Sequence, residues 1–281
     1  MSSVEPIRIL FVSANPARTE TLASDVEARQ IREALGKSKF GERFDLDTAP
    51  ATRIGDLSSL LRDHQPHILH IAVHGTLDGG LTFNALDDWE GQTLAAENLA
   101  GIVAAYQAEA TQKLRLVVLA GCGTAKAAQL VSRHMDCAIG TNGDVTDSAV
   151  IRLSPDLYAA LGDGRSVGNA FDSALAELRG HGMNSDADLF ELYPRAGVDP
   201  HKLILTALTT TQLTPAHLDY SAPLVWQAVG HRQSGRHLPA PGAGQPAGCL
   251  CAPACRFQTG HRSRRSSDCR LVGASGQPRK P

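Results

Sequence analysis

Short apolar runs rich in β-branched residues alternate with helix-length segments through the first 208 or so residues, and that alternation constrains the fold more than any other feature. Strand-like runs cover Ile7–Ala14, Phe44–Ala49, His67–Val73, Leu114–Ala120, Cys137–Gly140 and Leu203–Leu208. Several are apolar almost throughout, as buried parallel strands are when helices cover both faces. Helix-like segments cover Thr21–Leu35, Ile54–Asp63, Ala96–Ala110, Ala125–His134, Ser148–Leu161 and Val167–Leu178. In the first of these, Ala28, Ile31 and Leu35 share one face while Asp25, Arg29 and Arg32 share another. The order predicts an α/β fold, a mostly parallel sheet flanked by helices on both faces with right-handed crossovers. Ligands then sit at the carboxyl ends of the strands. Gly75–Asn84, with Gly75, Gly79 and Gly80, reads as a loop with a short hairpin through Leu81–Phe83.

The composition changes toward the C-terminus. Gly230–Pro281 is rich in Gly, Pro, Ser, Arg and Cys without periodicity, the mark of a poorly ordered tail. The expected organisation is one domain over 1–208, a flanking segment over 209–229 and the tail over 230–281. A formal net charge of −2 excludes polyanion binding by global charge, so no nucleic-acid partner is expected. No apolar run reaches the roughly 18–20 residues of a membrane span, and no signal-peptide pattern opens the chain. A cytoplasmic, reducing location follows as the expectation, with free thiols rather than disulfides among the six cysteines.

Two strand ends carry the chemistry. One reads His70-Ile-Ala-Val-His74-Gly75, the other Ala120-Gly121-Cys122-Gly123-Thr124. Cys122 lies just ahead of the helix beginning at Ala125, whose N-terminal dipole is expected to favour thiolate. An imidazole beside it takes the thiol proton or pairs with the thiolate. The flanking glycines admit a substrate carbonyl, and the backbone N–H groups of Gly75 and Cys122 are placed to face a developing oxyanion. His74 precedes Cys122 by 48 residues, close to the spacing of about 50 found in caspases.

With these strand ends in place, the chain resembles the CHAT domains, relatives of caspases, separases and other clan-CD cysteine peptidases. The resemblance covers roughly residues 7–208 and rests on five stretches. They are ILFVSANPARTETLASDVEARQIREAL, HILHIAVHG, LRLVVLAGCGTAKAAQL, CAIGTNGDVTDSAVIRLSPDLYAALGDGRSVGNAF and YPRAGVDPHKLIL. It implies a cysteine-type endopeptidase with His74 as general base, Cys122 as nucleophile and Gly75 as an oxyanion-hole donor. It implies an acidic pocket for a basic P1 side chain, for which Asp147 or Asp144 is the candidate, and a regulated effector role in signalling or defence. A protein or peptide substrate and a regulatory protein partner follow; the dyad needs neither metal nor organic cofactor, and no membrane partner is expected. One departure is visible. The family commonly carries Asn-Ala-Cys where this chain has Ala120-Gly121-Cys122, which removes a polar side chain and adds backbone freedom at Gly121.

Structural readings stand beside the functional ones. A buried free cysteine is commonly inert, so Cys122 alone proves little. His70 and His74 sit four apart, a spacing that could hold a metal on a helix, but the segment reads as a strand without the acidic residue such a site needs, and His70 reads as a core residue. Asp147, directly ahead of Ser148–Leu161, serves equally well as a helix cap. The tail's Cys249, Cys251 and Cys255, with His261 and Cys269, form an incomplete zinc pattern. A catalytically inactive interaction module with the same fold is the rival reading, favoured by the altered triplet. A small-molecule-binding doubly wound domain is disfavoured because Ser13-Ala14-Asn15-Pro16, after the first strand, lacks the glycines that would cradle a phosphate.

Overall fold

The apolar runs become a six-stranded sheet. In the computed structural model, which describes residues 5–17, 19–85, 91–111 and 113–207, all within one unit of the chain, strand β1 spans Ile7–Ser13, β2 Phe44–Ala49 and β3 Ile68–Ala72. Next come the short antiparallel strands β4 (His74–Gly75), β5 (Leu81–Asn84) and β6 (Gly91–Leu94). Strands β7 (Leu116–Ala120), β8 (Cys137–Thr141) and β9 (Phe190–Pro194) complete the set. The main sheet runs β2-β1-β3-β7-β8-β9, parallel except for β9, and β4-β5-β6 forms a separate three-stranded sheet.

Burial on both faces explains why the strands read as continuous apolar runs. Ile7, Ile9 and Phe11 of β1 belong to one core, and Leu10 and Val12 to the other. The first core lies under helices α1 (Ser24–Lys37), α5 (Asp147–Gly162) and α6 (Val167–Gly180). The second lies under α2 (Leu57–His64), α3 (Ala96–Glu109) and α4 (Ala125–Val131). Ile31 and Leu61 are fully covered, and each such side chain contributes on the order of 1.5–3 kcal/mol of hydrophobic stabilisation. A further single-turn helix, α7, spans Asn184–Ala187.

Three departures from the sequence reading stand out. The sixth strand is β9, not Leu203–Leu208. Leu205–Ala207 is a turn of 3-10 helix, and residue 208 lies outside the described residues. Leu203 and Leu205 face the first core while Ile204 is exposed, which mimics strand alternation without a ladder. The sheet edge takes Phe190–Pro194 instead, where a terminal proline is tolerated. The loop after β4 is also more ordered than expected. Its hairpin acquires a third strand, β6, whose Gly-Gln-Thr stretch is exposed and carries no apolar signal. Finally, α1 begins at Ser24 rather than Thr21. The Asn15 side chain holds Leu22 in place outside the helix, accepting from its N–H at 2.9 Å and donating to its carbonyl at 3.1 Å. The segments 209–229 and 230–281, with their cysteines, lie outside the described residues. No helix among the described residues is long and apolar enough to cross a membrane.

Candidate active site

Parallel pairing of β3 with β7 places Ala72 opposite Ala120, so the chain leaves both strands at the same sheet edge. Val73-His74-Gly75 exits beside Gly121-Cys122-Gly123. His74 and Cys122, distant in sequence, line one cavity together with Gly121, Val73, Asp147 and Glu27. The cavity encloses about 40 Å³, room for a few water molecules.

The two exits touch through their glycines. A Cβ on Gly75 would lie 1.8 Å from the Cys122 carbonyl oxygen, and one on Gly121 would lie 2.2 Å from the Val73 oxygen. Gly121 is therefore required for close approach. Its φ is not positive, so the freedom expected there is not used. Gly123 does adopt positive φ, at 63°.

His74 Nε2 lies 2.6 Å from the Glu20 backbone carbonyl. A carbonyl only accepts, so Nε2 carries a proton, and in the neutral ring Nδ1 is the nitrogen with the free lone pair. Glu20 precedes Leu22, whose backbone the Asn15 amide grips on both sides. Neither the Glu20 carbonyl nor the Asn15 clamp was visible in the sequence reading. A backbone acceptor has no residue signature, and the Asn15-Pro16 dipeptide carries only the signal of a turn.

Cys122 Sγ donates to the Val145 carbonyl at 3.5 Å. Burial pushes its thiol up from the usual range, and the Asp144 and Asp147 carboxylates push the same way. Desolvation and two nearby negative charges thus oppose the dipole effect expected of α4. Among the described residues the Cys122 N–H has no acceptor. The other described cysteine, Cys137, is fully buried in the first core, and burial pushes its thiol up to about 12.

The acidic loop splits its two candidates. Asp147 lines the cavity; Asp144 is exposed outside it. The cap of α5 is Thr146, whose side chain accepts from the Ala149 N–H at 3.2 Å, so Asp147 opens the helix without capping it. His70 is the core residue expected beneath the site. It is fully buried, stacks on Phe11 at 4.6 Å and lies 3.2 Å from the Tyr158 hydroxyl through Nδ1. Its Nε2 is 3.0 Å from Glu27 Oε1, close to that oxygen but off the line of a hydrogen bond. Ser154 donates to the same Glu27 oxygen at 2.6 Å. Sequence reading did not single out Glu27, a buried carboxylate that reaches the cavity from α1. Among the described residues no cluster of three or more His, Cys, Asp or Glu could hold a metal ion.

Comparison with known proteins places this geometry in context. A "Probable protease" of Gillisia limnaea is 24% identical over 164 residues, covering 58% of this chain and 28% of that protein. A "Roc-COR-CHAT protease" from an unknown prokaryotic organism is 24% identical over 184 residues, covering 64% of this chain and 17% of that protein. The chain thus spans less than a third of the length of either relative. Among solved structures, the Arg-specific cysteine proteinase gingipain R aligns with a TM-score of 0.43 and 12% identity, over 70% of this chain and 47% of that one. A secreted C11 cysteine protease from Bacteroides thetaiotaomicron aligns at 0.40 and 9% identity, over 61% of this chain and 59% of that one. The CHAT domain family matches residues 3–231, most of the sequence, and the chain belongs to that family.

Proposed function

We propose that this domain is a cysteine endopeptidase using Cys122 as nucleophile and His74 as general base. The observation that carries the reading is that these two residues, from separate strand ends, line one cavity with Asp147. Nδ1 of the neutral His74 ring, whose Nε2 proton faces the Glu20 carbonyl, takes the Cys122 proton as the sulfur attacks the scissile carbonyl. The N–H groups of Cys122 and Gly75 face the oxyanion; the absence of an acceptor for the Cys122 N–H supports that role. The protonated imidazole then gives its proton to the leaving amine, and water hydrolyses the acyl-enzyme. The raised Cys122 thiol fits a mechanism in which the proton moves during attack rather than beforehand.

Asp147, which lines the cavity, or Asp144 binds a basic P1 side chain in this reading. Leu22, on the approach to α1, and Ile151 of α5 line the same cavity and would flank the aliphatic part of that side chain. The substrate is a protein or peptide, and a partner protein regulates the domain as an effector in signalling or defence. A peptide-library cleavage assay tests the reading. Cleavage after Arg or Lys is expected, lost in Cys122→Ala and shifted away from basic residues in Asp147→Ala. Cleavage after Asp would sink the pocket assignment.

A second reading, a non-catalytic interaction module, rests on the Cys122–Val145 contact, which turns the thiol toward a carbonyl. A thiol-reactive probe that labels Cys122 slowly, and no differently in His74→Ala, would favour it.

A further inference from the structure

Beneath the nucleophile loop lie two threonines that the proposed chemistry does not use. Thr124, two residues after Cys122, and Thr141, the last residue of β8, are both fully buried. They exchange backbone-to-hydroxyl bonds: the Thr141 N–H donates to Thr124 Oγ1 at 3.0 Å, and the Thr124 N–H to Thr141 Oγ1 at 3.5 Å. The Thr141 hydroxyl donates to the Gly121 carbonyl. The Thr124 hydroxyl lies 3.2 Å from that same carbonyl and 3.1 Å from the Leu119 carbonyl. One carbonyl, that of the residue before Cys122, is thus drawn into the interior by buried hydroxyls.

A peptide unit is planar and trans, so the Cys122 N–H points opposite to the Gly121 carbonyl. Anchoring the carbonyl inward aims the N–H outward, toward the side where Gly121 and Cys122 line the cavity. Glycine tolerates either orientation of its peptide, so nothing in Gly121 itself would hold this one.

We propose that Thr124 and Thr141 are positioning residues that lock the Gly121–Cys122 peptide with the Cys122 N–H facing the oxyanion site. This inference rests on the peptidase reading for its functional meaning, but the lock is a property of the loop and is measured separately.

Two readouts on the full chain separate them. The first compares cleavage of a fluorogenic peptide with arginine at P1 against alkylation of Cys122 by iodoacetamide. Cleavage passes through an oxyanion; alkylation forms a C–S bond as iodide leaves, with no oxyanion. Thr141→Val is expected to lower kcat about 100-fold, the effect of losing one oxyanion donor. KM and the alkylation rate stay within about twofold of wild type, and Thr141→Ser restores most of kcat. Thr124→Val serves as the second test if Thr141→Val does not fold.

The second readout is the Cys122 amide resonance in chain labelled with 15N-cysteine, identified by its absence in Cys122→Ser. It is expected to be single in wild type and shifted or split in the valine variants. An unchanged Cys122 amide in Thr141→Val, or equal losses of cleavage and alkylation, would overturn the lock. Wild type that cleaves neither this peptide nor any member of a P1-varied peptide library, while its amide responds as expected, would overturn the peptidase reading and leave the lock standing.

Discussion

His74 Nε2 lies 2.6 Å from the carbonyl of Glu20, a residue 54 positions earlier in the chain. The contact ties the imidazole to the segment between β1 and α1, and fixes which ring nitrogen holds the proton. That segment is in turn held by Asn15, through both groups of its amide on Leu22.

Asn15→Ala should release the Glu20 carbonyl and let the imidazole turn. Misplacement of a catalytic group by about 1 Å costs up to about 100-fold in rate, so a fall in kcat of tenfold or more on an arginyl peptide is expected. Asn15→Asp keeps the acceptor for the Leu22 N–H and should be milder. Activity unchanged in Asn15→Ala would show that the clamp does not govern His74.

The raised Cys122 thiol has a direct signature. Its ordinary value is 9.0, and burial with Asp144 and Asp147 moves it upward. Little thiolate then exists near neutral pH without substrate, and the rate of iodoacetamide alkylation should still be climbing above pH 9. Asp147→Asn removes one of the negative charges and should move the midpoint down. A wild-type midpoint below pH 8 would contradict the assigned environment.

Gly121 tests how closely the two strand ends meet. A Cβ there would lie 2.2 Å from the Val73 carbonyl oxygen, a backbone atom that cannot swing aside. Gly121→Ala should therefore destabilise the fold by on the order of 1–3 kcal/mol, as overpacking does, with a Tm several degrees lower. Restoring the family's more common alanine would then harm this chain rather than improve it. Equal or higher Tm in calorimetry would show that the exits separate easily.

His67 predicts acid sensitivity. Burial, with Arg8 and Arg115 nearby, lowers its pKa from 6.5 to about 4, and its Nδ1 accepts from the Arg8 N–H at 3.0 Å, as only a neutral ring can. A folded-state value below the unfolded one means the histidine's contribution is present above pH 6.5 and is lost as pH falls from 6.5 toward 4. The full linkage is about 3 kcal/mol at 1.36 kcal/mol per unit. Urea unfolding at pH 7 and pH 4.5 should show this loss, and His67→Asn should flatten it. A flat wild-type profile would remove the assignment.

The parallel sheet was legible because its strands are buried on both faces, and Ile68–Ala72 and Leu116–Ala120 therefore stand out as apolar runs. His74 and Cys122 were legible because each closes such a run and is followed by glycine. Strand β9 was not, since an edge strand with Glu191, Tyr193 and Pro194 carries no continuous apolar pattern. Asp147 was found with two roles open, and the capping role passed to its neighbour Thr146.

Apolar periodicity and glycine placement, properties carried by side chains along the chain, were enough to assign the α/β class and the two strand ends. What folding alone decided were the contacts made by backbone groups and buried hydroxyls: the Glu20 carbonyl on His74, the Gly121 carbonyl under Thr124 and Thr141, and the Val145 carbonyl at Cys122. Every residue carries the same carbonyl, so no sequence distinguishes the one that will be used. Selection among them comes from which loops the sheet topology brings to a single edge.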